Sequence, residues 1–121
     1  MGLIIELDQN HLSWTAKVSG DLDYGQCAAF RLFIDRILRE SPPAVILDLS
    51  RVDYLDSSGL GLLLALSKEY GAIGGMLVLV INETVENILS LTRLDGIFTA
   101  TTSLAEANDL VTKLAMRPNA V

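Results

Sequence analysis

Hydrophobic residues recur along this chain with two periods, and the alternation between them predicts most of its elements. Leu3 to Leu7 reads as a strand. His11 to Val18 reads as a second, because Leu12, Trp14, Ala16 and Val18 alternate with polar neighbours. Asp8-Gln9-Asn10 between them predicts a tight turn, and so a hairpin. Gly20-Asp21-Leu22-Asp23 then breaks the two-residue period. From Tyr24 to Glu40 the apolar positions Phe30, Phe33, Ile34, Ile37 and Leu38 fall on one face of a helix. Asp23 is the expected cap at its start, and Ser41-Pro42-Pro43 its end.

The second half repeats a strand–helix rhythm. Ala44 to Leu49 is almost continuously apolar, as in a strand buried on both faces. After a short continuation comes Asp56-Ser57-Ser58-Gly59-Leu60-Gly61, and then Leu62-Leu63-Leu64-Ala65-Leu66. A helix this apolar must be covered on several sides or meet a partner, and core is the favoured reading. Gly71 and Gly74-Gly75 end it, and Met76 to Ile81 reads as another buried strand. Asn82-Glu83 starts a helix carrying Val85, Ile88, Leu89 and Thr92, which Gly96 is expected to terminate. Ile97 to Thr101 predicts a last strand. Ser103 and Glu106 form a capping box ahead of a helix lined by Leu104, Ala107, Val111 and Leu114.

The predicted order is β-β-α-β-α-β-α-β-α. Strand–helix–strand units imply parallel pairing, and the opening hairpin adds an antiparallel pair. The fold class is therefore α/β, one mixed sheet of four or five strands with four helices. Residues 1–115 are expected to form one domain, with residues 116–121 as a flexible tail.

Charge and composition remove several functions. Nine basic residues against fifteen acidic ones leave a net charge of −6, which opposes nucleic acid and anionic membranes. No apolar run is long enough to span a bilayer, so direct membrane insertion is not expected. The first residues lack the basic and apolar segments of a signal peptide. The lone Cys27 cannot form an internal disulfide, and a cytoplasmic location fits. The single histidine, His11, reads as a solvent-facing turn residue. Ser57 and Ser58 lack the glycine two positions earlier that a nucleophile elbow needs, and one Cys with one His gives no metal spacing. Gly71 to Gly75 lacks the Lys-Ser/Thr ending of a phosphate loop. An enzyme is not expected, and no cofactor is assigned.

The chemistry concentrates at Asp56-Ser57-Ser58-Gly59. Two hydroxyls stand at an expected helix N-terminus, where unpaired N–H groups and a partial positive charge accommodate a phosphate. Local chemistry by itself favours plain capping over modification. A phosphoserine would bring a charge of about −1.5 to −2 into an acidic neighbourhood. That charge would repel an acidic partner or disrupt an apolar contact.

The chain resembles the STAS domain, and within it the stand-alone bacterial anti-sigma factor antagonists. The likeness rests on Gly20-Asp21-Leu22-Asp23 and on the run from Val45 through Asp48-Leu49-Ser50, Val52, Tyr54-Leu55 and Asp56-Ser57-Ser58-Gly59-Leu60-Gly61. Gly74-Gly75 and Leu94-Asp95-Gly96-Ile97-Phe98 extend it, so that it spans about Leu3 to Leu114. The resemblance implies a partner switch. The unphosphorylated protein would bind an anti-sigma factor that is also a serine kinase of the GHKL type. Phosphorylation at the position of Ser57 would release it, and a metal-dependent serine phosphatase would restore it. Asp21 and Asp23 match the family's acidic loop near the phosphosite and kinase. Asp56, Ser58, Gly59 and Leu60 shape the helix start. STAS-like chains also serve in stress-sensing, lipid-transport and anion-transporter assemblies, which leaves a scaffold or regulatory subunit as the alternative.

Overall fold

Every strand of the sheet pairs with its neighbour in sequence, in the order β1-β2-β3-β4-β5. The computed structural model of the chain describes residues 2–115. Strand β1 (Ile4–Gln9) lies antiparallel to β2 (Trp14–Leu22). Strands β3 (Ala44–Leu55), β4 (Met76–Val80) and β5 (Thr99–Thr101) follow, with β2 through β5 mutually parallel. The helices are α1 (Cys27–Glu40), α2 (Ser57–Ala72), α3 (Glu83–Leu91) and α4 (Leu104–Ala115). The predicted element order and the mixed sheet are present, with five strands.

Because side chains alternate along a strand, β3 and β4 serve two cores at once. Val45, Leu47 and Leu79 join Phe30, Ile34 and Ile37 of α1, Leu60, Leu63, Leu66 and Tyr70 of α2, and Val85 and Leu89 of α3. Ala44, Ile46, Val78 and Val80 meet Ala107 and Val111 of α4. The leucine-rich helix α2 is core, as expected of a helix that needs apolar cover on more than one side. Leu62 and Leu64 also pack, half-buried, against the larger cluster. No helix among the described residues is long and apolar enough to cross a membrane.

Several boundaries differ from the sequence reading. The β1–β2 turn lies at Asn10–Ser13, where Asn10 Oδ1 accepts the amides of Leu12 (2.8 Å) and Ser13 (2.9 Å). Strand β2 does not stop at Gly20 but continues to Leu22. Its pairing with β3 shifts register between Lys17 and Ser19 and again between Gly20 and Asp21. Gly20 sits at φ +100°, with the Gly2 carbonyl where a side chain would stand. The glycine that reads as a break is an irregularity inside a continuing strand. A 3-10 turn, Tyr24–Gln26, precedes α1, and Asp23 caps it by position only, without a side-chain bond.

Helix α3 ends at Leu91, before Gly96, because Arg93 takes the left-handed position at φ 60°. Leu94 N–H then closes on Leu89 O at 2.8 Å. Residues 97 and 98 lie outside β5. On α4, Leu110 packs against the sheet cluster, while Leu114, one turn further along the helix, is exposed. The tail expected at residues 116–121 lies outside the described residues.

Candidate functional site

The site forms where β2 and β3 outrun the rest of the sheet. Strand β4 pairs with β3 only from Ala44 to Asp48, whereas β2 follows β3 as far as Leu22 opposite Leu55. The two strand ends therefore deliver Asp23 and Asp56 side by side, with Asp56 N–H directed at Leu22 O (3.4 Å).

Asp56 is the hinge of the arrangement. Its extended backbone makes it the N-cap of α2, and Oδ1 accepts Gly59 N–H at 2.9 Å. Oδ2 accepts Tyr24 N–H at 3.0 Å, so one carboxylate ties the start of α2 to the turn after β2. The Gly59 amide, acting against partial desolvation and aided by the Tyr24 and Ser58 amides, holds this carboxyl below the ordinary carboxylate range. The residue stays ionised at neutral pH.

Ser57 is the first residue of α2 and is exposed, while Ser58 is half-buried. Gly59 and Leu60 are buried. A side chain at Gly59 would strike the Leu22 carbonyl, and would stand 2.9 Å from both Leu22 Cγ and Leu55 Cδ1. The Asp-Ser-Ser-Gly run thus combines a cap, an open hydroxyl, a half-buried hydroxyl and a contact closed to any Cβ.

The acidic loop converges here only in part. Asp23 lies one residue from the Tyr24–Asp56 bond, and its own Oδ1 is buried without a hydrogen bond among the described residues. Its carbonyl accepts Gln26 N–H (3.0 Å) and the Cys27 thiol (3.4 Å). Asp21 lies further back on β2, opposite Tyr54. Burial first, then the charges of Asp56 and Asp23, push the Cys27 thiol up. That shift places Cys27 in the same electrostatic neighbourhood, which a lone cysteine in a helical run does not announce.

The sequence reading gave no site role to Tyr24 and Tyr54, which flank the site 79% and 54% exposed, and read Asn82 only as a helix cap. Two aromatics left in solvent beside a polar motif carry no periodic signal. His11 sits in the β1–β2 turn, at the far end of β2 from Leu22. At the usual rise, the eight steps of that strand from Trp14 to Leu22 span roughly 25 Å. The sequence's single histidine thus lies at the opposite end of β2 from the start of α2. No cluster of His, Cys, Asp and Glu among the described residues could hold a metal ion.

Comparison with known proteins identifies this architecture. The STAS domain model matches residues 5–107. The Paenibacillus polymyxa protein named anti-sigma F factor antagonist is 31% identical over 96 residues, covering 78% of this chain and 82% of that one. The crystal structure of an anti-sigma factor antagonist from Mycobacterium paratuberculosis superposes with a TM-score of 0.83 at 28% identity, over 92% of this chain and 95% of that one. The anti-sigma factor antagonist SpoIIAA in its unphosphorylated form shares the fold, with a TM-score of 0.75 at 23% identity, over 90% of this chain and 96% of that one. The same fold is found in its phosphorylated form from Bacillus, with a TM-score of 0.69 at 22% identity, over 89% of this chain and 99% of that one.

Proposed function

This chain belongs to the STAS domain family, and we propose that it is an anti-sigma factor antagonist whose partner binding is switched by phosphorylation of Ser57. The observation that carries the reading is the exposed Ser57 hydroxyl on the first turn of α2, beside a carboxylate that joins two loops. The kinship with the Paenibacillus antagonist supports the role. That SpoIIAA has been solved both unphosphorylated and phosphorylated supports the chemistry of the switch.

In the unphosphorylated state the protein binds a cytoplasmic anti-sigma factor, a serine kinase of the GHKL type, through the surface around the start of α2. The kinase passes the γ-phosphoryl group of ATP to Ser57 Oγ, which gives up its proton. A dianionic group of about −1.5 to −2 charge then stands next to the ionised Asp56 and near Asp23. The N-terminus of α2 offsets part of that charge, so the fold tolerates it. A partner surface packed on the same spot does not, because bulk and unpaired charge are buried together. Asp21, Asp23, Asp56, Ser58, Gly59 and Leu60 shape the site, and a metal-dependent serine phosphatase resets it.

Incubation with the partner kinase and ATP, followed by mass spectrometry, is expected to place phosphate on Ser57. Ser57→Ala keeps partner binding and loses phosphorylation, and Ser57→Asp weakens binding. Phosphate appearing only at other residues would refute the assignment.

A further inference from the structure

Beyond Asp48, strand β3 has a partner on one side only. The β2 side is paired to Leu55, but β4 stops short, which leaves the β4 side of residues 49–55 without a strand. Asn82 fills that place. Its Nδ2 donates to Ser50 O (3.1 Å) and Val52 O (2.9 Å), and its Oδ1 accepts Val85 N–H (2.9 Å) as the N-cap of α3. One side chain substitutes for a missing strand and fastens α3 to the segment that ends in Asp56. Val85 and Leu89 of α3 lie in the same core cluster as Leu55 and Leu60, so the polar clamp and the apolar contact hold the same piece of backbone.

We propose that Asn82 is a positioning residue for the Ser57 site. It sets the course of the β3 extension, and so where Asp56 meets Tyr24 N–H and where Ser57 is presented. The functional weight of this role rests on reading Ser57 as the phosphoacceptor.

Asn82→Asp separates the two halves of the side chain. The carboxylate still caps Val85 but can no longer donate to the two β3 carbonyls. In NMR-detected amide exchange on the full chain, the Tyr24 and Gly59 amides are expected to exchange roughly tenfold faster, the size of one or two net hydrogen bonds. The Val85 amide keeps its cap and the β1–β2 amides accelerate less than these two, while the thermal midpoint falls by several degrees because two native-state bonds are lost. Asn82→Ala frees Val85 as well. Unchanged exchange at Tyr24 and Gly59 in Asn82→Asp would overturn the proposal. A uniform acceleration across the sheet would also overturn it, since that marks general loosening. If Asn82→Asp does not fold, Asn82→Ser retains a cap and is too short for the clamp, and the same two outcomes decide. The measurement needs no partner, so its failure leaves the phosphorylation reading standing, whereas phosphate away from Ser57 removes that reading and leaves the clamp.

Discussion

Replacing Gly59 and Gly61 by alanine, one at a time, should shift stability in opposite directions, although the two glycines lie two residues apart in one helix. Each substitution gains helix propensity and restricts the unfolded chain, an effect of about 0.5–1 kcal/mol in favour of alanine. At Gly61 nothing lies within 4 Å of the new methyl group, so that gain should appear undiminished. At Gly59 the methyl meets the Leu22 carbonyl, with Leu22 Cγ and Leu55 Cδ1 each at 2.9 Å. Overpacking of a closed site costs about 1–3 kcal/mol. The upper part of that range applies, because a backbone carbonyl cannot rotate away and Leu22 is fully buried. The net expectation for Gly59→Ala is a loss of about 2 kcal/mol, which leaves the two variants about 3 kcal/mol apart. Urea unfolding should show this as a change in midpoint with constant slope, and thermal unfolding as a gap of roughly 10 °C or more. Leu22 O also faces Asp56 N–H, so displacing it should weaken the Asp56–Tyr24 link and partner binding together. Equal stability of the two variants would refute the packing account of the motif glycine.

Acid titration should single out Asp56. Its carboxyl is depressed by the Gly59 amide first, so its stabilising contribution is complete above its ordinary value of 3.8 and is lost as pH falls through the lowered folded value. Asp56→Asn should therefore show a shallower fall of thermal midpoint between about pH 5 and pH 2 than the unsubstituted protein, and an identical slope would contradict this. Tyr70 predicts the alkaline limb. Burial pushes its phenol from 10.0 to about 12, so between those values the unfolded chain loses a proton that the folded one keeps, and stability falls as pH rises. Tyr70→Phe should flatten that limb. It should also cost about 1–3 kcal/mol at neutral pH by orphaning the buried Pro42 carbonyl, the partner of the phenol at 2.5 Å; an unchanged urea midpoint would refute this.

Much of this molecule is written in local patterns. The period of the apolar positions in α1, the continuous apolar runs of β3 and β4, and the caps at Asp56, Asn82 and Ser103 each follow from short-range sterics and hydrogen bonding. A single chain can state such rules within a few residues, so element order and fold class were legible. The Asp-Ser-Ser-Gly run was also visible as a helix start with a candidate phosphoacceptor.

Other features depend on partners distant in sequence. Gly20-Asp21-Leu22 looks like a break until β3 arrives alongside and the pairing absorbs the irregularity. The end of α3 depended on Arg93 accepting a left-handed backbone, which residue type alone disfavours. Leu110 packs on the sheet cluster while Leu114, one turn further along, is exposed, a difference that no helical period records. The same holds at the site. That Asp56 binds Tyr24 across 32 positions, that Cys27 feels two carboxylates, and that Asn82 completes a strand are contacts made by folding. Sequence by itself determined the strand–helix order and the chemistry present at the start of α2. Tertiary structure decided how that chemistry is held, because hydrogen bonds and charges act over a few ångströms in space, whatever the distance along the chain.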